Sequence, residues 1–363
     1  MIENGKISLL QFGIAVYMFA LGSTALLAPS IIVSIAKQDG WISVIFCMLV
    51  IVAFVSLWSR LSKRYPGQSM IQYGERILGT WPGKLVGLIY IWYFLYLSSL
   101  VLRNLGDFIT TSVLSQTPIQ FVHIMFMIPV LYGAYLGLEV IARTGEVLFP
   151  WILVIFSVTI LLLLKNIDPG QVLPILPDGL LMPLKGVYPL LGFPISELVV
   201  FLLVIPFVKG QNKIKKYFNL YFLLAAATGA CIVFISISVL GVDVTARSTF
   251  SVFDMAKEIN VGNFFERVEV LVGGIWMMTI FVKLSICFYA ANLATAQLFN
   301  LRSYRVTLLP FGMFVLALSI LGYKNTAESA WFITTAYPIY SLFHGLVIPA
   351  LLLMIGKLRR LKG

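Results

Sequence analysis

Charge is what this chain has least of. Asp, Glu, Lys and Arg make up 11% of its 363 residues, against about a quarter in a soluble domain. Cysteine is scarce too. Cys47, Cys231 and Cys287 each sit in an apolar run without metal-ligand spacing, and they read as buried, inert thiols. His123 and His344 are the only histidines and belong to separate apolar segments. No G-x-S-x-G, H-E-x-x-H, Walker A or paired-cysteine motif occurs. An enzyme, a metal centre or a bound cofactor is left without residues to build it. Low-complexity tracts and long linkers are missing as well, so the expectation is a single transmembrane domain over 1–363.

What the chain has instead is apolar surface. Hydrophobic residues make up 60% of it, and runs near 20 residues recur along the whole length. The expected spans are roughly 8–36, 41–60, 85–109, 119–137, 146–164, 187–208, 217–241, 264–298, 306–321 and 331–356. The fold class is an all-α polytopic membrane protein of about ten helices. The N-terminal run is too long for a signal peptide and lacks a small-x-small cleavage site before Lys37, so it reads as the first span.

The net charge of +11 is topological rather than a nucleic-acid footprint. With the N-terminus in the cytoplasm, inside segments hold Arg60, Lys63, Arg64, Arg76 and Lys84, then Lys209, Lys213, Lys215 and Lys216, and finally Lys357, Arg359, Arg360 and Lys362. Outside segments hold few, among them Lys37, Arg103, Lys165 and Lys324. That bias obeys the positive-inside rule with both termini cytoplasmic.

Ten spans divide into five and five, which permits an inverted repeat, with 7–165 as the first half and 186–356 as the second. Inverted-repeat transporters place discontinuous helices at the first span of each half. The first span carries Gly22, Ser23 and Thr24 mid-run and then Pro29; the sixth carries "LLGFPISE", 190–197. Pro194 lacks an N–H and suits the first turn of a new helix. Gly192 gives backbone freedom before it. Ser196 and Glu197 then fall in that first turn, where the positive helix end favours oxygen and negative charge. A stop, a hinge and a fresh start at mid-membrane survive only where backbone lines a cavity or is buried in protein. Spans one and six are therefore expected to be discontinuous, with a ligand site at the breaks.

Two deep charges stand out, because an ionisable group at membrane depth is costly and usually functional. Glu197 either binds a ligand ammonium or hydroxyl, carries a proton, or caps the second half-helix. Lys283, within the eighth span, either fills with its own ammonium the place where five-plus-five transporters often bind sodium, or forms a structural ion pair or polar contact. Glu266 and Glu269 share a helix face near the start of that span, with Arg267 between them, and read as an interfacial network. In the third span Tyr90, Trp92, Tyr93 and Tyr96 crowd together; Tyr93 is either a pocket wall or a packing residue.

Several stretches taken together resemble one family, the endospore germination permeases, the B-type membrane subunits of spore germinant receptors. They include "AKQDGW" (36–41), "YPGQSMIQYGERILGTWPG" (65–83), "LGLEVIARTGEVLFP" (136–150), "FPISELVVFLLVIPFV" (193–208) and "INVGNFFERVEVLVGGIWMMTIFVKLSICFY" (259–289). The resemblance implies the amino acid–polyamine–organocation superfamily, with ten helices in a five-plus-five inverted repeat of the LeuT type. It further implies a small-molecule germinant, an A-type membrane subunit and a C-type lipoprotein as partners, and the inner membrane of the spore as location. The ligand pocket it implies falls at Gly22, Ser23, Tyr93, and Leu191 to Phe193, with no metal and no cofactor. Three functions stay open on the sequence: a receptor subunit, an autonomous permease for amino acids or small solutes, and an assembly subunit without a ligand. The resemblance favours the first.

Overall fold

Ser8 opens the first helix with a capping box: its hydroxyl accepts from the Gln11 amide while the Gln11 side chain accepts from the Ser8 N–H. From there the chain is helical almost throughout, as its apolar runs require where no water can satisfy backbone groups. The computed structural model describes residues 5–259 and 268–359, with Ser23 described by its backbone alone. Glu266, Arg267, Arg360 and Lys362 lie outside the described residues.

Helices stand at all ten expected positions. They are α1 (Leu9–Ala36), α2 (Gly40–Arg64), the short α3 (Met70–Leu78), α4 (Thr80–Phe108), α5 (Ile119–Leu136) and α6 (Leu138–Leu163). The sixth span is made of α7 (Leu181–Leu190), an irregular stretch and α8 (Phe201–Val204). Then follow α9 (Ile214–Arg247), the short α10 (Ser251–Lys257), α11 (Val268–Leu298), α12 (Arg305–Leu321), α13 (Thr326–Thr335), α14 (Tyr337–Leu342) and α15 (Ile348–Leu358). Among the described residues, eight helical runs are long and apolar enough to cross a membrane, nine if the bent pair α12–α13 counts as one. One of these runs, 24–64, contains the end of the first span and the whole second.

One expectation needs correction. Leu9–Ala36 is a single helix that runs through Gly22, Ser23 and Thr24 without leaving helical geometry. Glycine and hydroxyl residues weaken a helix without breaking it where neighbouring helices hold it in place, and α1 packs against α9, α11, α7 and α6. Pro29 also lies inside α1.

Glycines make the tight joints. Gly79 (φ 95°) separates α3 from α4, Gly137 (φ 105°) separates α5 from α6, and Gly241 (φ 76°) kinks α9; each φ is one that side chains rarely adopt. Ile7 pairs with the chain just beyond the sixth span, through Ile7 N–H to Phe207 O at 3.0 Å and Lys209 N–H to Ile7 O at 2.9 Å. At the same face Arg359 donates to Ile77 O, tying the end of α15 to α3. Helices α5 and α6 turn apolar side chains outward, with Ile124, Ile128, Tyr132 and Trp151 exposed, which is what a lipid-facing surface looks like.

At the opposite face the chain bends by 100° between α12 and α13. A buried ion pair on α4 holds this bend. Arg103 Nε donates to Asp107 Oδ1 at 2.9 Å, and Arg103 Nη1 reaches the carbonyls of Ser319 and Tyr323 at 3.4 and 3.1 Å. Both side chains are less than a tenth exposed. Removing one partner strands the other, which typically costs about 3–5 kcal/mol. Arg103→Ala or Asp107→Asn should therefore lower the unfolding temperature of the purified protein sharply. Arg103→Met combined with Asp107→Leu should recover much of the loss, and a scan of all three variants beside wild type checks it.

Candidate functional site

The break in the sixth span falls where Gly192 and Pro194 put it. Helix α7 ends at Leu190, and a wide turn covers Leu191–Ile195 in which Phe193 leaves helical geometry (φ −131°, ψ 128°). A tight 3-10 turn, Ser196–Val200, then leads into α8. Ser196 Oγ donates to Leu191 O at 2.6 Å, so it satisfies a carbonyl freed by the break rather than an N–H. Gly192 is required by close approach: a Cβ there would stand 2.7 Å from Pro338 Cα of α14.

Glu197 and Lys283 meet. Lys283 Nζ donates to Glu197 Oε2 at 2.6 Å, and Tyr337 OH donates to Glu197 Oε1, also at 2.6 Å. The side chains of the pair are 0% and 3% exposed. The Lys283 ammonium also stands 5.1 Å from the centre of the Phe19 ring, within cation–π range. Among the described residues, no side-chain capping bond is made at the start of the turn that holds Glu197. Of the alternatives open on the sequence, the geometry shows Lys283 and Glu197 as each other's ion-pair partner.

Gly22 explains how Lys283 gets there. A Cβ at Gly22 would stand 2.9 Å from Lys283 Cδ and 3.1 Å from its Cβ. The glycine in α1 is thus the groove along which the lysine stem crosses, and not a break.

Tyr93 reaches the break indirectly. Ser341 Oγ donates to Gly192 O at 3.0 Å, which leaves its oxygen to accept from Tyr93 OH at 2.7 Å. The Tyr93 ring stacks on His344, with centroids 4.2 Å apart. The tenth span is itself irregular here, with a wide turn at Phe343–Val347. Trp58 donates to Gly345 O and Tyr90 to His344 O, each at 2.8 Å, while a Cβ at Gly345 would stand 2.7 Å from Ser196 Cα.

Two cavities flank the break. One of about 480 Å³ lies among α1, α2, α7 and α9, with Thr24, Ala28, Leu190, Pro194 and Ile195 in its wall. Thr24 Oγ1 is buried there without a hydrogen-bond partner among the described residues. The other, about 260 Å³, lies between Leu97, Leu100 and Asn104 of α4, Phe193 and Glu197 of the break, and Tyr337 of α14. The expected site residues therefore divide. Thr24 borders the first cavity, Phe193 and Glu197 the second; Gly22, Tyr93, Leu191, Gly192 and Lys283 support the break beside them, and the side chain of Ser23 is outside the described residues.

Sequence reasoning missed Tyr337, Ser341, Asn104 and Trp58. The signal for Tyr337 and Ser341 lay in "YPIYSLFHG", 337–345, where a proline, hydroxyls and a glycine interrupt an apolar run, as Gly192, Pro194 and Ser196 do in the sixth span. A buried acid also needs partners, and Lys283 supplies one.

Comparison with known proteins fits this architecture. The family model described as "Spore germination protein" matches residues 6–327. Spore germination protein KB of Bacillus subtilis (strain 168) is 30% identical over 90% of this chain and 87% of its own length. Spore germination protein YndE of the same organism is 29% identical over 98% of each. Among solved structures, MhsT in complex with L-phenylalanine superposes with a TM-score of 0.68 at 13% identity, covering 97% of this chain and 99% of that one. Mhp1, a nucleobase-cation-symport-1 family transporter, gives 0.67 at 11% identity, covering 93% and 76%. Those likenesses establish the fold, that of LeuT-type transporters, and the relatives are germination proteins rather than enzymes. The chain is an integral membrane protein and belongs to the spore germination protein family.

Proposed function

We propose that this chain is the germinant-sensing B-type membrane subunit of a spore germinant receptor, working beside an A-type membrane subunit and a C-type lipoprotein. In this reading it sits in the inner membrane of the spore with both termini cytoplasmic, and its two five-helix repeats are 7–165 and 186–356. It binds a small nutrient, an amino acid, sugar or nucleoside, at the break of the sixth span beside the first. The site residues are Gly22, Ser23, Thr24, Tyr93, Leu191, Gly192, Phe193 and Glu197, with Lys283 in the place of an external cation.

The observation that carries this reading is the Lys283–Glu197–Tyr337 cluster. It joins the broken span to α11 and α14 inside the fold and leaves the break electrically neutral. A ligand that binds one arrangement of these three spans more tightly than another shifts their populations, and partner subunits can read that shift. A second reading, an autonomous amino-acid or small-solute permease, draws on the likeness to transporters. Germination of spores lacking the gene, across a panel of amino acids, sugars and nucleosides, tests the first. Substrate uptake by the purified protein alone in liposomes favours the second.

Because Lys283 supplies the cation, germination should be independent of sodium. A wild-type response that disappears when potassium replaces sodium would refute the assignment of Lys283. Glu197→Gln alone leaves a buried ammonium unpaired and should destabilise the protein by about 3–5 kcal/mol. Glu197→Gln combined with Lys283→Met should restore the protein level, because no charge is then stranded. If that double variant also responds to germinant with wild-type potency, the pair is structural only; the proposal expects the response to be lost or weakened at least about tenfold, the scale of one charge-assisted hydrogen bond. Gly22→Leu, which drives a side chain into the lysine stem, should abolish the response while the protein still inserts, as protein level and dose–response on the same spores will show.

A further inference from the structure

A second polar cavity, of about 480 Å³, lies at the face of the molecule that carries both ends of the described chain, between the end of α2 and the start of α9. Its wall is made by Ser59, Ser62 and Lys63 of α2 and by Gln211, Asn212 and Lys215 at the entry to α9, with Ile205, Ile214 and Pro66 as its apolar part. No acid is among these residues. Neither Lys63 nor Lys215 joins an ion pair among the described residues, although five other cations do: Lys37, Arg103, Arg143, Lys257 and Lys283.

Three features converge on negative charge. The two ammonium groups come from different helices and border one space. Helix α9 begins beside this cavity without a side-chain cap, and its first-turn residues Ile214 and Lys215 form part of the wall, which puts the positive end of its dipole next to the same space. Ser59 is 8% exposed and borders the cavity, and Ser62 Oγ, which also borders it, is buried without a partner among the described residues. A buried hydroxyl left unpaired is unfavourable, and an acceptor in the cavity would satisfy it.

We propose that this cavity binds a phosphate group. A phosphate offers acceptor oxygens in several directions at once, matching two ammoniums, two hydroxyls and a helix start that approach from different sides. A carboxylate, flat and with two oxygens, would leave some of these donors unmet. The phosphate comes either from the headgroup of an anionic lipid, for which basic pockets between membrane helices are suited, or from a soluble phosphate compound. The place matters, since the cavity touches the ends of spans two and six and the start of span seven. An occupant would tie the end of the broken span to its neighbours.

The test uses the full-length protein in nanodiscs. One arm titrates inorganic phosphate into phosphatidylcholine discs and follows the unfolding temperature. The other mixes phosphatidylglycerol into the discs and measures by native mass spectrometry how much stays with the protein. Lys63→Gln with Lys215→Gln should weaken the response by about tenfold or more, the effect of losing charge-assisted contacts. Lys6→Gln with Lys357→Gln removes the same charge from the same face and should leave it unchanged. A phosphate response lost only in the first double variant supports a soluble ligand, and lipid retention lost only there supports a headgroup. Equal losses in both double variants, or no binding of either probe by wild type, overturn the proposal. Both single lysine variants change one exposed side chain apiece and replace the double variant if it accumulates poorly; Ser59→Ala should weaken binding without changing surface charge.

Discussion

An ammonium and a carboxylate facing each other at membrane depth set the terms for everything around them. Either charge alone would be far too costly to keep ionised in so apolar a place, and together they remain acceptable only with close geometry and every remaining lone pair engaged. The chain supplies the close geometry and engages both carboxylate oxygens. Lys283 and Tyr337 take one oxygen each of Glu197, and the Phe19 ring faces the ammonium. The same conditions then dictate residues elsewhere: Gly22 must be small for the lysine stem to pass α1. A single carboxylate thereby fixes the relative positions of the sixth, eighth and tenth spans, and of the first through the glycine.

Breaking a helix inside a membrane creates a second demand, because backbone carbonyls released from the helix ladder have no water to turn to. The sixth span meets it from within and from the tenth, and the tenth meets it from the second and third spans. Ser196 takes Leu191 O within the sixth span, and Ser341 of the tenth takes Gly192 O. Across the contact, Trp58 and Tyr90 take Gly345 O and His344 O from the tenth span's own wide turn. Gly345 lies against Ser196 and Gly192 against Pro338, so the two irregular segments are in backbone contact.

The spans and the break at Gly192–Glu197 were legible because they depend on local chemistry: apolar run length, a proline that cannot continue a ladder, a glycine before it. The apparent break at Gly22–Thr24 misled for an instructive reason. Glycine in a helix can serve backbone freedom or close approach, and only the three-dimensional neighbour, Lys283, tells which. Both deep charges were found singly, yet their pairing spans 86 positions of sequence, and no periodicity encodes such a contact. Tyr337 and Ser341 escaped notice because the proline, glycine and hydroxyls of 337–345 mark an interrupted run without naming the group they serve. Arg103 was visible as a charge near a helix end, but its pairing with Asp107 and its task of holding the α12–α13 bend were not.

The two cavities beside the break differ in chemistry in a way that bears on the proposed sensing role. In the larger, Thr24 is the one hydroxyl in an otherwise apolar wall. The smaller contains Glu197, each of whose oxygens already accepts a bond, from Lys283 and Tyr337, and Asn104, whose side-chain amide has no partner among the described residues. A polar molecule entering the smaller cavity finds one free amide at once, and can engage Glu197 only by exchange with Tyr337 or Lys283. Exchange is far less costly than loss, because a net hydrogen bond is worth about 1 kcal/mol whereas a stranded charge costs several. On the proposed sensing role, the cluster is held together when nothing is bound and is open to exchange with a ligand that brings its own donors. Since Tyr337 begins α14, next to α13 and the latched bend, any ligand that displaces its hydroxyl acts on the span that lies between the break and the opposite face.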